Sequence, residues 1–181
     1  MITLRPEQPQ DYEKVFHLIE EAFRNSAESN HQEQFLVERL RKSPDFIPEL
    51  SIVAEFTDDD TGRVELAGHI LFTKVTVENG LQTFSSLTLA PVSVKPAYQG
   101  RGIGGHLIAF GHMIAEEMGY ESVVLAGHAD YYLKFGYRNA ADFGITFPFD
   151  VPGENAMATE LKKNALKYKK GRVKYPVEFE L

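Results

Sequence analysis

Four glycines lie between residues 100 and 105, immediately before a long apolar periodicity, in the stretch SVKPAYQGRGIGGHLIAFGHMIAEEMGY. Gly100, Gly102 and Gly105 fit the G-x-G-x-x-G pattern of dinucleotide binding. Gln99, Gly102 and Gly104 fit a second pattern, Q-x-x-G-x-G. Both patterns indicate an anion site, because a glycine-rich turn before a helix leaves main-chain N–H groups free for phosphate oxygens. A third interpretation needs no ligand, since such glycines also serve a tight turn or close packing.

The surroundings of these glycines differ from those in a nicotinamide-binding Rossmann unit. There the first strand ends directly at the first glycine, and an acidic residue closes the next strand about 20 residues on. Here KPAYQ separates Val94 from Gly100, antiparallel strands are predicted upstream, and the following strand SVVLAG ends without an acid. A Walker A loop is excluded because no Lys-Ser or Lys-Thr follows the glycines. A nicotinamide oxidoreductase stays an alternative on the G-x-G-x-x-G match alone.

The segments before the glycines predict a short strand, two helices and an antiparallel meander. ITLRP is the strand, and the spacing of apolar residues in DYEKVFHLIEEAF and HQEQFLVERLRK predicts the helices. The second helix has Phe35, Leu36 and Leu40 as its predicted apolar side. ELSIVAEF, RVELAGHILFTKVTVENG and QTFSSLTLAPVSV predict three strands with turns between them. We expect Pro91 to disturb the third of these strands.

The segments after the glycines predict a helix, a buried strand and a mixed tail. The helix is closed by Gly119 and carries an apolar stripe formed by Ile103, Leu107, Phe110, Ile114 and Met118. ESVVLAG predicts the strand, and DYYLKFG predicts a short helix with Asp130 as N-cap and Gly136 as C-cap. A helix around residues 158–166 and a strand around residues 173–179 are predicted to follow.

The length and composition of the chain limit the classes of protein to which it can belong. At 181 residues the chain fits one main domain, and no apolar run approaches the roughly 18 residues that suggest a membrane helix. The opening MITLRPEQPQDYEK has no apolar signal region, so we expect a cytoplasmic protein. A net charge of −7 argues against general nucleic-acid binding, and the absence of cysteine excludes thiolate chemistry. The histidines form no tight pair with an acidic partner, so we expect no metal site.

Two motifs resemble the GNAT superfamily of acetyltransferases. In LAPVSVKPAYQGRGIGGHLI, the residues Gln99, Gly102 and Gly104 match the spacing of that family's pyrophosphate loop. YYLKFGY resembles the family's later F-Y-x-x-x-G-F signature, with Tyr132 at the tyrosine, and the two motifs stand in the family's order. The downstream FGITFPF resembles a bacterial subgroup of the family.

The resemblance covers most of the chain from residue 1 to about residue 137, and it implies a fold. The fold class is α/β (α+β), GNAT-like, with a mostly antiparallel central sheet that contains one splayed pair of parallel strands and is flanked by helices. Residues 1–145 would form the GNAT-like acetyl-CoA-binding domain. Residues 146–181 would be a C-terminal extension that completes the same domain.

The resemblance also implies a site for acetyl-CoA as cosubstrate, without a metal. The main chain of Val92 and Val94 would meet the acetyl group and the pantetheine arm. Main-chain N–H groups would meet the pyrophosphate in a loop made of Gln99, Gly100, Arg101, Gly102, Ile103, Gly104 and Gly105. Tyr132 would give a proton to the departing sulfur, since a tyrosine with a reference pKa of about 10 stays protonated at neutral pH. A role as a core residue is the competing interpretation for Tyr132.

The implied function is N-acetylation. A primary amine of a small-molecule or peptide acceptor would attack acetyl-CoA directly in a ternary complex. The general base is left open among Glu55, His69, Glu78 and His128, with a water relay as a further alternative. A non-catalytic CoA- or acyl-CoA-binding sensor or partner-binding module with the same fold is the alternative function. A homodimer through the C-terminal strands is also left open, and we expect no nucleic-acid or membrane partner.

Overall fold

The structure is a computed structural model that describes all residues from Met1 to Leu181. Its strands are β1 (Ile2–Pro6), β2 (Ser51–Thr57), β3 (Val64–Glu78), β4 (Thr83–Val94), β5 (Ser122–Ala126), β6 (Arg138–Asn139), β7 (Ile145–Thr146), β8 (Ala156–Glu160) and β9 (Gly171–Lys174). Its α-helices are α1 (Tyr12–Phe23), α2 (Glu33–Leu40), α3 (Ile103–Glu117) and α4 (Ala129–Tyr132). Short 3₁₀ turns lie between many of these elements.

The nine strands form one mixed sheet. Their order is β1-β2-β3-β4-β5-β8-β6, while β9 pairs with β3 and β7 pairs with β9. Strands β4 and β5 are parallel, and a second, short parallel contact joins β7 to β9. The pairs β1–β2, β2–β3, β3–β9, β5–β8 and β6–β8 are antiparallel. The prediction of a mostly antiparallel sheet with a central parallel pair and flanking helices is confirmed.

The chain folds as two compact units. The first contains residues 1–72 and 90–111, and the second contains residues 73–89 and 112–181. Strands β3 and β4 and helix α3 therefore each contribute residues to both units.

In the first unit, glycines let helix α3 approach strand β3 closely. A Cβ atom on Gly68 of β3 would lie 3.0 Å from Cδ1 of Leu107 and 3.1 Å from Cγ2 of Ile103 on the helix. A Cβ atom on Gly111 of the helix would lie 2.2 Å from Cε2 of Phe72. Side chains at either glycine would push the helix off the strand. The start of α3 is thus held in a fixed position over β3.

A buried polar cluster joins the end of α2 to strands β2 and β3 in the first unit. Nε and Nη2 of Arg41 each donate to a carboxylate oxygen of Glu7 at 2.9 Å, and the Ser51 hydroxyl donates to Glu7 at 2.7 Å. The Ser51 oxygen also lies 3.0 Å from Nε2 of His69, which is completely buried. Burial lowers the pKa of His69 to about 4, so the imidazole is neutral at pH 7. The buried charges of Glu7 and Arg41 are therefore paired with each other.

The second unit is built around strand β5, which pairs with β4 on one side and β8 on the other. The register places Ala158 of β8 opposite Val124 of β5. One core of this unit consists of apolar side chains from several strands and turns: Val75, Val77, Val124, Ala140, Ile145, Ala158, Leu166 and Val173. Strand β5 is thus an interior strand, buried along most of its length.

The prediction of a helix around residues 158–166 is wrong. Residues 156–160 form strand β8, and the residues that follow are turns. β8 pairs with every residue of β5, so pairing along the open edge of a buried strand outweighs the local helix preference. The strand predicted around residues 173–179 is correct only at its start. β9 ends at Lys174, and Pro176, which has no N–H to donate to a ladder, precedes a 3₁₀ turn.

Two predicted apolar helix faces are shifted. Helix α2 buries Val37 and Leu40, whereas Phe35 is 41% exposed and packs edge-on against Phe16. Met118, which was expected to continue the core stripe of α3, lies just after the helix and is 43% exposed. A stripe spaced mostly by four residues drifts around a helix with 3.6 residues per turn, so its far end turns toward solvent.

Candidate active site

The candidate site begins at the C-terminal end of strand β4. The strand runs through Pro91 to Val94 without a break, and the Ala90–Pro91 peptide bond is cis. Pro91 therefore does not end the strand, and it leaves that position without an N–H donor for a ladder. Val92 and Val94 share one side of the strand and are half-buried, whereas Pro91 and Ser93 are buried.

The loop after β4 needs glycine for its backbone conformation. Gly100 has a φ of 75° and Gly102 has a φ of 79°, in the left-handed region that disfavours residues with a Cβ. A Cβ atom on Gly100 would meet nothing within 4 Å, and one on Gly102 would meet only Cε1 of His106 at 3.9 Å. These two glycines therefore do not serve close packing inside the protein. The space in front of the loop is open.

The start of helix α3 presents unpaired main-chain donors. The His106 N–H donates to the Gly102 carbonyl at 3.0 Å, which begins the helical ladder. The N–H groups of Ile103, Gly104 and Gly105 come before that point and have no acceptor within the helix. Gly102 has no side chain that could cap them. Unpaired donors at the positive end of a helix dipole are groups that suit an anion.

Side chains fix the shape of the loop. Nε2 of Gln99 donates to the Val94 carbonyl at 3.0 Å, which ties the loop to the end of its own strand. The Tyr98 hydroxyl hydrogen-bonds the Glu65 carboxylate. The guanidinium of Arg101 lies 5.4 Å from the centroid of the Tyr98 ring, so an exposed cation stands in the loop. The structure therefore brings the predicted loop residues together in one turn and the start of helix α3.

The parallel pair of β4 and β5 is short. It consists of two registered residue pairs, and the second of these joins Thr88 to Val124. Strand β5 continues through Leu125 and Ala126, which pair with β8 on the other side. The main-chain groups of Leu125 and Ala126 that face β4 therefore lie beyond the end of the parallel ladder.

Tyr132 is the last residue of the short helix α4 in the second unit. The N-cap is His128, and the prediction of Asp130 as N-cap is wrong because the helix already begins at Ala129, which places Asp130 in its first turn. Gly136, with a φ of 86°, ends the segment in the left-handed conformation, as predicted.

Tyr132 lies in an aromatic cluster that sequence reasoning missed. Its ring packs edge to face against the rings of Tyr131 and Tyr137, at centroid distances of 5.1 Å and 5.6 Å. Tyr137 is completely buried, and its hydroxyl oxygen lies 2.8 Å from Nε2 of His112. The main chain of Gly127 covers another part of the Tyr132 ring. The glycine at the end of the predicted strand ESVVLAG was the only sequence signal for this contact.

Burial shifts the pKa values of this cluster. Burial raises the pKa of Tyr132 and of Tyr137 above the ordinary tyrosine value. Burial also lowers the pKa of His112 to about 4. At pH 7 both phenols are therefore protonated and the imidazole is neutral. The hydroxyl of Tyr132 makes no hydrogen bond to another group of the protein, so its proton is available to a ligand.

The four candidates for the general base differ in their surroundings. Glu55 accepts hydrogen bonds from Nε and Nη2 of Arg5 at 3.0 Å and 2.5 Å. His69 belongs to the buried polar cluster, and Glu78 forms an ion pair at 3.7 Å with a lysine of β9. His128 occupies the N-cap position of α4. Glu55 and His69 are thus committed to contacts within the protein.

No three His, Asp or Glu side chains are grouped as ligands for a metal ion. The chain has no cysteine, so sulfur ligands and thiolate nucleophiles are absent. No helix of the structure combines the length and the apolar character needed to cross a bilayer.

The mixed sheet with its short parallel pair and the glycine loop that opens helix α3 are the features that the resemblance to the GNAT superfamily implied. A family profile described as an acetyltransferase (GNAT) domain matches residues 3–140. The chain belongs to this family, as the two motifs implied.

Relatives with similar sequences are named as N-acetyltransferases. The chain is 36% identical over 121 residues to an uncharacterized N-acetyltransferase YjhQ of Escherichia coli K12, a match that covers 61% of this chain and 67% of the relative. It is 28% identical over 178 residues to an uncharacterized N-acetyltransferase YhbS of the same strain, covering 98% of each chain.

Two solved structures share the fold over nearly the whole chain. The Escherichia coli YhbS structure, in complex with CoA, superposes with a TM-score of 0.82 at 29% identity, covering 99% of this chain and 92% of that one. A GNAT family acetyltransferase from Brucella melitensis, in complex with acetyl-CoA, gives a TM-score of 0.76 at 31% identity, covering 99% and 98%. The structural similarity to these two proteins therefore extends beyond residues 3–140 into the C-terminal part of this chain.

Proposed function

We propose that this protein is an acetyl-CoA-dependent N-acetyltransferase that transfers the acetyl group to a primary amine by direct attack in a ternary complex. The observation that carries the proposal is the set of unpaired amides at the start of α3, behind a loop whose glycines leave open space in front of it. The CoA and acetyl-CoA complexes of the two similar proteins support the choice of ligand.

The loop would hold the pyrophosphate of acetyl-CoA. The main-chain N–H groups from Arg101 to Gly105 would donate to its oxygens, and the Arg101 guanidinium would add a charge-assisted contact. Gln99 and Gly100 would keep the loop in shape. The main chain of Val92 and Val94 would meet the acetyl group and the pantetheine arm, since these residues are half-buried at the end of β4.

The chemistry would then need three groups. A neutral amine attacks the thioester carbon to form the C–N bond, and a main-chain N–H near Val92 stabilises the oxyanion. The C–S bond then breaks as the sulfur takes a proton, while the amine nitrogen gives up one proton to a general base or a water relay. We assign the protonation of the sulfur to Tyr132, whose hydroxyl is protonated at neutral pH and has no partner within the protein. Because the chain has no cysteine, no acyl-cysteine intermediate forms.

We also propose that residues 146–181 complete the same domain as residues 1–145. The support is strand pairing, because β8 pairs with β5 and β9 pairs with β3. The tail thus supplies two strands to the main sheet.

Calorimetric titration with CoA and acetyl-CoA, followed by an amine panel, tests this proposal. The panel contains a polyamine, an amino acid, an aminoglycoside and lysine and N-terminal peptides, with free thiol as the readout. We expect binding of both ligands and turnover with at least one amine. Binding without transfer to any amine or to water supports the non-catalytic binding module instead. Absence of binding contradicts both functions.

A further inference from the structure

Gly127 lies directly after strand β5 and has no backbone reason to be glycine. Its φ lies outside the left-handed region, unlike that of Gly136. Its N–H donates to the Asn155 carbonyl at 2.9 Å, a bond that any residue except proline can make. The requirement for glycine must therefore come from what occupies the space next to it.

That space is filled by the Tyr132 ring. A Cβ atom on Gly127 would lie 2.5 Å from Cε2 and 3.1 Å from Cδ2 of Tyr132. It would also lie 3.3 Å from Cδ1 of Leu125. Because the first distance is well inside van der Waals contact, an alanine at this position displaces either the ring or the main chain.

Tyr137 supports another part of the same ring. The two rings meet edge to face with an interplanar angle of 72°, a geometry that aromatic pairs favour. Tyr137 is itself fixed, since it is completely buried and its hydroxyl is 2.8 Å from Nε2 of His112. The Tyr132 ring therefore has a rigid support in the second unit.

Helix α4 cannot fix Tyr132 by itself, because it is only four residues long. One further hydrogen bond holds the segment to the sheet, from the Thr159 hydroxyl of β8 to the Gly136 carbonyl at 3.0 Å. Within this held segment the phenol hydroxyl of Tyr132 is free of protein partners. A fixed ring with an uncommitted hydroxyl is what a proton donor needs.

We propose that Gly127 and the His112-supported Tyr137 are positioning residues, which fix the Tyr132 ring so that its hydroxyl lies where the departing sulfur receives a proton. The inference rests on the proposed function, because it assigns a task to the Tyr132 hydroxyl. Gly127 acts by having no side chain, and Tyr137 acts by the position of its ring.

The test compares Gly127→Ala with Gly153→Ala. Gly153 is a matched control, because its φ is also outside the left-handed region and a Cβ there would meet nothing within 4 Å. We expect Gly127→Ala to lower kcat about 10- to 100-fold while the KM for acetyl-CoA changes by less than about twofold. Gly153→Ala should keep both constants. A kcat for Gly127→Ala equal to that of Gly153→Ala overturns the inference.

The same substitution in a Tyr132→Phe background separates positioning from general damage. Tyr132→Phe has no hydroxyl to donate a proton, so displacing the ring cannot misplace a donor. In this background Gly127→Ala should therefore lower kcat by less than about twofold. An equal loss in both backgrounds contradicts positioning. If Gly127→Ala is too unstable to assay, Tyr137→Leu takes its place in the same double-mutant cycle. Tyr137→Phe is then the conservative variant. We expect it to retain most of the activity because it keeps the ring.

A crystal structure of Gly127→Ala distinguishes failure of this inference from failure of the proposed function. We expect the Tyr132 ring to be displaced by about 1 Å or more, since the present distance leaves no room for a methyl group. An unmoved ring overturns the inference even if the enzyme is active. A wild-type protein without acetyltransferase activity overturns the proposed function, whatever the ring does.

Discussion

Nε2 of His112 lies 2.8 Å from the hydroxyl oxygen of Tyr137, inside a part of the protein where the tyrosine is completely buried. Burial lowers the pKa of His112 to about 4, below the value of about 6.5 for an unfolded chain. Between these pH values the unfolded chain binds a proton that the folded protein does not bind. Stability is therefore full above about pH 6.5 and falls as the pH drops toward about 4.

This pH dependence can be measured by urea unfolding at pH 7.5 and pH 4.5. The loss from His112 approaches about 3 kcal/mol, and the neutral, buried His69 should add a similar loss. His112→Phe should be less stable than wild type at pH 7.5, because the Tyr137 hydroxyl loses its partner, yet it should lose less stability on acidification. An unchanged pH dependence in His112→Phe contradicts this assignment.

The ion pair between Arg41 and Glu7 should matter more for stability than an ordinary surface pair. Both side chains are buried, so Arg41→Met leaves the Glu7 carboxylate without its main partner, at an expected cost of about 3–5 kcal/mol. Denaturant unfolding measures the change, with the exposed Lys42→Met as control. Adding Glu7→Gln to Arg41→Met should recover part of the loss. A cost below about 1 kcal/mol for Arg41→Met would show that the pair is not desolvated.

A comparison of two glycines with left-handed backbone conformations distinguishes an effect on ligand binding from an effect of backbone strain. Gly102 and Gly62 have φ values of 79° and 69°, and a Cβ would meet no close atom at either position. Alanine should therefore cost each site a similar amount of stability, about 1–2 kcal/mol. Only Gly102→Ala should weaken CoA binding, by about tenfold or more, because only this residue shapes the proposed pyrophosphate loop. Equal CoA affinities for the two variants in calorimetric titration would exclude the loop as the binding site.

Tyr132 and Tyr131 are adjacent tyrosines with different expected roles. Tyr132→Phe should lower kcat by about 100-fold or more while leaving CoA affinity unchanged, because it removes a proton donor and keeps the ring. Tyr131→Phe should keep most of the activity, since no step uses its hydroxyl. Steady-state rates with an accepted amine and CoA titrations measure both effects. Full turnover by Tyr132→Phe would remove this residue from the mechanism.

The sequence predicts the glycine loop and the position of Tyr132 because both are encoded locally. The left-handed glycines and the helix start after them lie within a few residues, and Gly136 ends the α4 segment as its position suggests. The mixed sheet, in contrast, was predicted from the resemblance to the GNAT superfamily.

The errors fall where distant parts of the chain decide the outcome. Residues 156–160 became a strand because β5 offers an open edge, which no local pattern reveals. Likewise, the rings around Tyr132 come together only after β5, α3 and the segment after α4 have folded. Gly127 and His112 belong to no sequence motif, so only the structure reveals their contacts with Tyr132 and Tyr137.

We propose that amides at the start of α3 hold the diphosphate of coenzyme A. A crystal structure of the protein with CoA would show these contacts. We expect diphosphate oxygens within about 3.2 Å of the main-chain nitrogens of Ile103, Gly104 and Gly105. A well-ordered CoA whose diphosphate contacts none of these nitrogens would show that the start of α3 is not the binding site.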